Sequence, residues 1–359
     1  MIKSHSIATH HSTPSLAKRY QDHIRWRFIL VSGLFVSTFV ALIIDLIQGP
    51  SGLTVATLLQ GLINPDSLPV AQQVIIWDVR LPYALMAIVV GGALGLAGAE
   101  MQTVLNNPLA SPFTLGVGAA ATFGASIAIV LDTSQFGISH TFALPVFAFI
   151  SAGLASLLIL IVSSTLGGSI QSVLLFGIAL MFGLNALVGI LQFVADEGAL
   201  QQIVFWTMGS LARADIQKVL IVGVVLLACI PLSLRNGWSM TLLRSGEEHA
   251  VSMGINVQRL RIITLLRVSL LTATALSFVG EIGFIGLVAP HIARMLVGES
   301  HRFFLISSIL TGALLLSLSS IASKTVIPGL ILPIGMVTAL VGIPVFVALI
   351  YQHQKRGAH

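Results

Sequence analysis

Ten apolar segments, each close to the length of a membrane-spanning helix, constrain what this chain can fold into. A helix needs about 20 apolar residues to cross about 30 Å of hydrocarbon. Such segments occupy residues 28–47, 81–104, 114–131, 141–163, 172–194, 216–234, 262–280, 284–297, 303–323 and 331–350. The eighth is short, and we expect it to form a broken pair with the seventh across Gly280 and Gly283. Ten crossings place both chain ends on one side of the membrane.

The composition supports a membrane environment. Hydrophobic residues make up 56% of the 359 positions and charged residues only 9%, whereas about 25% of the residues of a soluble domain are charged. A soluble chain of this length would need a charged surface, so we expect lipid to cover most of this one. The chain is therefore predicted to be an all-α integral membrane protein. Its one cysteine, Cys229, excludes an intrachain disulfide and a thiol-ligated metal site.

The basic residues are distributed unevenly over the two sides of the predicted bundle. Fourteen fall on the side of the chain ends, and four, Arg80, Arg213, Lys218 and Lys324, fall on the other. By the positive-inside rule, both termini are predicted to be cytoplasmic. The net charge of +5 therefore follows the membrane topology and does not indicate nucleic-acid binding.

This topology divides the chain into a cytoplasmic tail, 1–27, a ten-helix transmembrane domain, 28–352, and a second cytoplasmic tail, 353–359. The first tail contains His5, His10 and His11, which could bind a metal ion. We favour a disordered polar tail, because histidines in such segments need no ligand.

The long loop 235–261, between the sixth and seventh segments, contains helix signals. Ser245 and Glu248 have the spacing of a capping box, and Glu247 lies in the same first turn. Gly254 is placed to end that helix, and Asn256 to cap a second short helix that leads into the seventh segment. The loop is predicted to be a compact helix-turn-helix, which is either an ordinary interfacial helix or a rigid docking site for a cytoplasmic partner.

Four ordered motifs resemble the iron-siderophore and vitamin B12 permease family of bacterial ABC importers. The segment SGEEHAVSMGINVQRLR resembles the coupling loop of that family. The other three motifs are RLPYALMAIVVGGALGLAGAEMQTVLNNPLASPFTLGVGAAATFGA at 80–125, GEIGFIGLVAPHIARMLVGESHR at 280–302 and LPIGMVTALVGIPVFVALI at 332–350. The resemblance covers about 80–356; Asn106 stands where the family often has Arg, and Met253 where it often has Leu.

The resemblance implies an ABC importer type II permease fold in the bacterial inner membrane. It implies a second permease copy or a paralogue, cytoplasmic ABC ATPase subunits, and a periplasmic or lipid-anchored substrate-binding protein. The ATPase would dock on the coupling loop, 240–258. The candidate docking residues are Ser245, Gly246, Glu247, Glu248, Ala250, Gly254, Asn256 and Arg259.

Two basic residues on the outer side are candidates for docking the binding protein. In the family, acidic residues of the binding protein pair with basic residues of the permease. Arg80 matches the Arg of the family's Arg-Leu-Pro motif, and Lys324 precedes the last span. The alternative is that both are interfacial cations that extend toward the headgroups.

The resemblance also places the translocation pathway at the dimer interface, around 172–210. Phe176, Met181, Asn185, Gln192, Trp206 and Met208 are the candidate lining residues. This mostly neutral set suits a bulky chelate, and the segment Phe205–Leu211 is like that of siderophore permeases. Ferric siderophore is the expected cargo, with vitamin B12 or haem as alternatives.

Small and helix-breaking residues indicate close packing within the bundle. Gly91, Gly92, Gly95 and Gly98 lie along one side of the second span and would let another helix approach closely. Pro108 and Pro112 interrupt the entry to the third span, and Pro290 is predicted to interrupt the eighth. We expect these three structural breaks to border the pathway or the helix junctions around it.

Polar residues inside the membrane are functional candidates by default. For His291 we favour a structural hydrogen bond over a metal ligand, because no second ligand shares its helix face. Glu100, Gln102 and Asn185 could line the pathway or form helix contacts, and Asp45 could reach the interface.

The source of energy is indicated by a missing motif. The sequence contains no G-x-x-x-x-G-K-[ST] phosphate loop, no nucleophile–base pair and no metal site, so the chain is not expected to be an enzyme or to carry a cofactor. A partner ATPase or an ion gradient must drive transport. A secondary transporter would need a coupling carboxylate, for which Glu100 and Glu281 are candidates; a non-transporting scaffold is the other alternative.

Overall fold

The computed structural model describes residues 16–49, 52–133, 137, 139–165 and 170–357. Within these ranges every element of regular structure is a helix. The α-helices are α1 (Leu16–Ile47), α2 (Val55–Ile63), α3 (Val70–Val74), α4 (Leu81–Val104), α5 (Val117–Val130), α6 (His140–Thr165), α7 (Ile170–Val194), α8 (Glu197–Thr207), α9 (Ile216–Arg235), α10 (Gly237–Arg244), α11 (Glu247–Ser252), α12 (Val257–Val279), α13 (Ile285–Val297), α14 (His301–Thr325) and α15 (Ile334–Gly357). A π-helical segment, Ile75–Arg80, leads into α4, and 3-10 turns occupy Pro65–Ser67 and Leu211–Arg213.

The described helices confirm the all-α membrane fold. Seven of them are long and apolar enough to cross a membrane: α1, the stretch Val70–Val104 that contains α4, and α6, α7, α9, α12 and α14. The other three predicted crossings correspond to shorter apolar helices at Val117–Val130, Ile285–Val297 and Ile334–Ala348. The extra helices α2, α8, α10 and α11 lie in the connections between these spans, and α3 forms the start of the stretch Val70–Val104.

Helix α4 is the centre of the bundle, and its glycines explain why. It packs against α14, α12, α13 and α9. A Cβ atom at Gly91 or Gly95 would overlap the backbone carbonyl of Gly312 or Ser308 on α14, and one at Gly98 would overlap the carbonyl of Gly286 on α13. The predicted close approach at the small residues of the second span is therefore confirmed, since no larger side chain fits between these backbones.

The two ends of the bundle are defined by contacts between helix termini. At one end, Thr103 near the end of α4 lies beside His301 at the start of α14 and close to α10; we call this the platform end. At the other end, Arg80 precedes α4 and bonds the last residues of α1, while Lys324 in the last turn of α14 bonds Asp45; we call this the far end.

Two features differ from the sequence-based expectations. Helix α1 begins at Leu16, inside the segment expected to be a tail, and residues 1–15, which include the three histidines, lie outside the described residues. The interruption predicted at Pro290 is wrong, because α13 continues through that proline to Val297. Pro290 is the sixth residue of α13, so its missing N–H removes one helical hydrogen bond, the one to the Gly286 carbonyl, and the helix continues past it. Pro108 and Pro112, in contrast, lie in the non-helical connection between α4 and α5.

The expected break between the seventh and eighth segments is present as a tight junction. Residues 280–284 join α12 to α13, with a positive φ of 79° at Gly280 and 66° at Phe284. The Glu281 carbonyl packs against Gly209 and Gly335, so the connection after α8 and the start of α15 meet at this junction. Glu281 itself receives a hydrogen bond of 3.3 Å from the Thr122 hydroxyl of α5.

Candidate functional site: the helical platform and its links to the bundle

The loop between α9 and α12 forms a helical platform, defined here as residues 237–259. Helix α11 begins after Gly246, whose φ of 128° turns the chain, and it ends before Gly254, whose φ is 81°. The Asn256 side chain accepts a 2.9 Å hydrogen bond from the Arg259 N–H and so caps α12. The predicted end at Gly254 and cap at Asn256 are therefore confirmed, although Asn256 caps the spanning helix itself and not a separate short helix.

The predicted capping box at Ser245 and Glu248 is wrong. Helix α10, which the sequence analysis missed, runs to Arg244 and leaves Ser245 with a helical backbone as its C-terminal cap. An N-cap residue needs an extended backbone, because only then can its side-chain oxygen accept a hydrogen bond from a backbone N–H in the first turn of the helix. Glu247 and Glu248 still lie in the first turn of α11, where their negative charges interact favourably with the positive end of the helix dipole.

A small apolar core makes the platform rigid. Ala250 is completely buried, and it packs with Leu243, Val257 and Leu260. Glu247 and Arg261 form an ion pair of 3.3 Å that joins α11 to α12. Three helices are thus held together, so that a displacement of α11 must also displace the start of α12.

Arg244, at the end of α10, connects the platform to the membrane bundle. Its guanidinium donates a 2.8 Å hydrogen bond to Asn106 Oδ1, in the turn after α4, and lies 3.2 Å from Glu299 Oε1. Glu299 is also 3.3 Å from Arg294 Nε, near the end of α13. The carboxylate of Glu299 therefore bridges two arginines that belong to different parts of the structure.

His301 forms a second connection at the platform end. Its buried ring lies between two hydroxyl groups, 2.9 Å from Thr103 on α4 and 3.0 Å from Thr241 on α10. The ring also packs edge-on against Phe304. Helices α4, α10 and α14 are therefore joined by one side chain.

Glu100 and Arg267 form the most deeply buried connection. The Arg267 Nε atom lies 2.9 and 2.8 Å from the two carboxylate oxygens of Glu100, and Nη2 also donates to Oε1. Their side chains are 0% and 5% exposed. Because Glu100 is on α4 and Arg267 is on α12, two turns past the platform, this ion pair links the platform helix to the centre of the bundle.

The family model of the FecCD transport family matches residues 37–352. The chain belongs to this family. Among its relatives, the ABC transporter permease protein MJ0087 of Methanocaldococcus jannaschii is 33% identical, over 95% of this chain and 99% of the relative. The ferric enterobactin permease FepD of Escherichia coli is 35% identical over 92% and 98%, and the hemin permease HmuU of Yersinia pestis is 35% identical over 78% and 84%.

A solved structure gives the same result for the fold. A metal-chelate type ABC transporter in an inward-facing conformation superposes with a TM-score of 0.77 at 31% identity, over 90% of this chain and 99% of that chain. As a FecCD family member, the chain is a multi-pass membrane permease of the ABC importer class. Hydrolysis of ATP in that class belongs to a separate subunit.

The FecCD platform also presents apolar residues that the sequence analysis did not single out. Val251 and Met253 on and after α11 are each 58% exposed. Ala250 is completely buried whereas the next residue, Val251, is exposed, so the boundary between the buried and the exposed side of α11 lies between these two positions. This burial difference could not be predicted before α10 and α12 were known to cover one face of α11.

The predicted pathway residues fall into two groups. Asn185 is exposed on α7, and Phe176, Met181, Gln192 and Met208 are partly exposed. Trp206, however, is only 2% exposed and belongs to the main apolar core, with the Arg213 guanidinium 5.9 Å from its ring centroid. Burial lowers the pKa of Arg213 below its ordinary value.

The two residues predicted to dock a binding protein, Arg80 and Lys324, form hydrogen bonds with residues of α1 at the far end. Arg80 is 4% exposed and donates hydrogen bonds of 2.9 and 2.7 Å to the carbonyls of Leu46 and Ile47. The Lys324 side chain is also 4% exposed, and its Nζ lies 2.8 Å from Asp45 Oδ1 and 4.2 Å from the Tyr83 ring centroid. This geometry gives both residues a role in joining α1 to α4 and α14, and their docking role stays a prediction.

The remaining polar candidates contact neighbouring helices. Gln102 is completely buried and donates a 3.1 Å hydrogen bond to the Leu287 carbonyl of α13. Asp45 is also completely buried, and accepts from the Ser320 hydroxyl as well as from Lys324. His291 is partly buried on α13. Of the two alternatives left open for Glu100 and Gln102, the structure favours the helix contact over the pathway.

Proposed function

We propose that this chain is the permease subunit of an ATP-driven importer that carries a ferric siderophore across the bacterial inner membrane. Alternating access would take place at the interface of two permease subunits. The observation that carries the proposal is the rigid platform with ion-paired links to the bundle. A secondary transporter has no need for a surface that receives force from a partner.

The platform is suited to receive an ATPase subunit. The docking contacts we propose are the exposed or partly exposed residues Val251 and Met253 together with the sequence candidates Ser245, Gly246, Glu247, Glu248, Gly254, Asn256 and Arg259. Ala250, the remaining sequence candidate, is completely buried and belongs to the platform core, so it supports the surface without contacting a partner. Exposed apolar residues beside charged ones are typical of protein interfaces. Because α11 is tied to α12 through Glu247 and Arg261, movement of the docked partner would be passed to the spanning helix.

The two deeper links would pass that movement on to the bundle. Arg267 lies on the same helix as the platform's Asn256 cap, and its pair with Glu100 acts on α4. Arg244 acts on the turn after α4 and, through Glu299, on the end of α13. The Arg267–Glu100 pair is buried, where charge-assisted hydrogen bonds are strong and fixed in geometry, whereas the Arg244 contacts are partly exposed.

A second permease subunit would cover α7. Of the seven candidate spans, α7 is the least buried within the described chain. Its exposed face carries Asn185, whose amide would be costly to leave in hydrocarbon. A pathway at the subunit interface would give this amide water or cargo as a partner, and Phe176, Met181, Gln192 and Met208 would contribute further lining.

The orientation follows from the charge distribution. Both termini and the platform would be cytoplasmic, and the far end would face the periplasm and a substrate-binding protein. Arg80 and Lys324 would take part in that docking only if their internal bonds rearrange.

The cargo is proposed from the neutral lining and from the relatives. The exposed residues of the proposed pathway are neutral, which suits a bulky chelate with its charge enclosed. FepD is named for ferric enterobactin, and HmuU for hemin. We place ferric siderophore first, and haem or vitamin B12 second.

The test is uptake of radiolabelled iron by a deletion strain and its complemented parent, with a panel of purified ferric siderophores and with labelled haem and cobalamin. The coupling variant is Gly254→Val, which forces a branched residue to a φ of 81° on the platform. Its matched control is Gly329→Val, which creates the same strain at a φ of 82° at the far end. Both glycines have open space around them.

We expect uptake of one siderophore to depend on the gene. We expect the co-purified ATPase to be lost from the Gly254 variant and retained by the Gly329 variant. If the deletion strain takes up every siderophore normally but loses uptake of haem or cobalamin, the proposed siderophore cargo is wrong and the permease function stands. Uptake that survives ATP depletion but stops when an ion gradient is collapsed would favour a secondary transporter.

A further inference from the structure

A basic cavity opens on the side of the bundle at the platform end. Its volume is about 540 Å³, and it lies between the end of α9, the start of α10, the turn after α11 and the first turns of α12. This size is within the range of small-molecule sites. Three arginines line it: Arg235, Arg259 and Arg267.

The charge of this cavity is not balanced within the described chain. Arg267 pairs with Glu100, but Arg235 and Arg259 are exposed, and no carboxylate of the described residues forms an ion pair with either guanidinium. Asn236 and Ser239 add polar side chains to the lining. Two free guanidinium groups in one concave site favour a phosphate, which accepts paired hydrogen bonds from each.

The position of the cavity indicates that the phosphate belongs to a lipid. Leu232 and Ile263 line it as well, are 53% and 41% exposed, and lie within the candidate spans α9 and α12. Trp238, just beyond, is 70% exposed, and tryptophan is enriched where a protein meets the headgroup region. The cavity is therefore apolar toward the hydrocarbon and basic toward the headgroups, as an anionic phospholipid requires.

We propose that this cavity binds the headgroup phosphate of an anionic phospholipid, with its acyl chains along Leu232 and Ile263. Arg235 and Arg259 would bind the phosphate, and Asn236 and Ser239 would offer additional donors. The lipid would then bridge α9 and α12 beside the platform. Gly254, Asn256 and Arg259 line this cavity and are also docking contacts proposed for the ATPase, so the lipid would lie at the edge of that docking surface.

The proposal is tested by native mass spectrometry of the purified full-length chain, titrated with dioleoylphosphatidylglycerol or dioleoylphosphatidylcholine. The site variant is Arg235→Gln/Arg259→Gln. The matched control is Arg25→Gln/Arg302→Gln, which removes two exposed charges outside the cavity. Thermal unfolding in detergent alone checks that both variants fold like the wild type.

We expect phosphatidylglycerol to bind more tightly than phosphatidylcholine. Each arginine should contribute about 5-fold in affinity, so the site variant should lose about 25-fold. The control should bind like the wild type. Equal phosphatidylglycerol binding by the two double variants would overturn the proposal. Unchanged lipid binding with loss of the co-purified ATPase in the site variant would also overturn it, and would assign the cavity to an acidic protein segment.

Discussion

Arg267 of α12 forms a bidentate ion pair with Glu100 of α4, and neither side chain is more than 5% exposed. The pair lies between the platform and the centre of the bundle. Its burial means that each charge depends on the other for stabilisation, since neither can be solvated by bulk water.

The first prediction concerns this pair. Arg267→Met should destabilise the protein by about 3–5 kcal/mol, because it leaves the Glu100 carboxylate buried without a cation. The double variant Arg267→Met/Glu100→Met should recover most of that loss, since it removes both charges. Thermal unfolding in detergent measures both effects.

The same variants separate a structural role of Glu100 from proton coupling. In our proposal, the double variant keeps ATP-dependent uptake at a reduced rate, because a link has been weakened but no coupling group has been lost. A stable double variant whose uptake no longer responds to an imposed pH gradient, while the wild type does respond, would contradict this.

The second prediction concerns the glycine contact between α4 and α13. Gly98→Ala should destabilise the protein by about 1–3 kcal/mol, since its Cβ atom meets the Gly286 backbone carbonyl, which cannot rotate away. The control, Gly153→Ala on α6, has nothing within 4 Å of the added Cβ. It should be neutral or stabilise the helix by up to about 1 kcal/mol. Equal melting temperatures of the two variants would be inconsistent with the close approach.

These contacts mark the limit of what the sequence can predict. Helix α4 spans Leu81–Val104, the same residues as the second predicted segment, because a helix in hydrocarbon must be apolar along its whole length. The partner of Glu100 could not be predicted, since Arg267 is 167 positions away and no sequence period relates them. The glycine pattern indicated that a helix would pack there, but not which one.

In the platform, the sequence predicted one helix boundary correctly and another wrongly. Positive φ angles at Gly246 and Gly254 delimit α11, and the glycine at 254 was a sufficient signal for the helix end. Ser245 misled the prediction because α10 ends just before it and holds its backbone helical. A capping motif is defined by sequence spacing, but it forms only where the preceding chain is extended.

The third prediction concerns Asp215, which caps α9 at the far end. Its carboxylate accepts a 2.9 Å hydrogen bond from the Lys218 N–H and lies 2.8 Å from Lys218 Nζ. Partial desolvation acts to raise the pKa of Asp215, but the hydrogen bonds and charge of Lys218 outweigh it and hold the pKa below its ordinary value. The carboxylate therefore stabilises the folded state above the unfolded-state pKa, and this is lost as the pH falls through the folded-state pKa.

Asp215→Ala should accordingly cost about 1 kcal/mol near pH 7. The deficit should begin to shrink below about pH 4, where the carboxyl of the unfolded state binds a proton, and it should be smallest below the folded-state pKa. Asp215→Asn is the control, because an amide oxygen can still cap α9 at every pH. A deficit of Asp215→Ala that does not change between neutral and acidic pH would show that the charge plays no part.

The last prediction separates two roles of Lys324. Its Nζ lies 2.8 Å from Asp45 Oδ1, and both side chains are buried. Lys324→Met alone should destabilise the protein by about 3–5 kcal/mol, because Asp45 then keeps a buried charge without a cation. Asp45→Asn/Lys324→Met should restore the melting temperature, since the Ser320 hydroxyl can still bond the amide oxygen that replaces the carboxylate.

Uptake by the restored double variant then decides whether Lys324 also docks a binding protein. If the lysine only joins α1 to α14, siderophore uptake and the affinity for the binding protein should return together with stability. If its charge is needed by the partner, the double variant should be stable and should remain deficient in both. The buried geometry favours the first outcome, because a lysine bonded to Asp45 and stacked on Tyr83 offers little charge to an approaching protein.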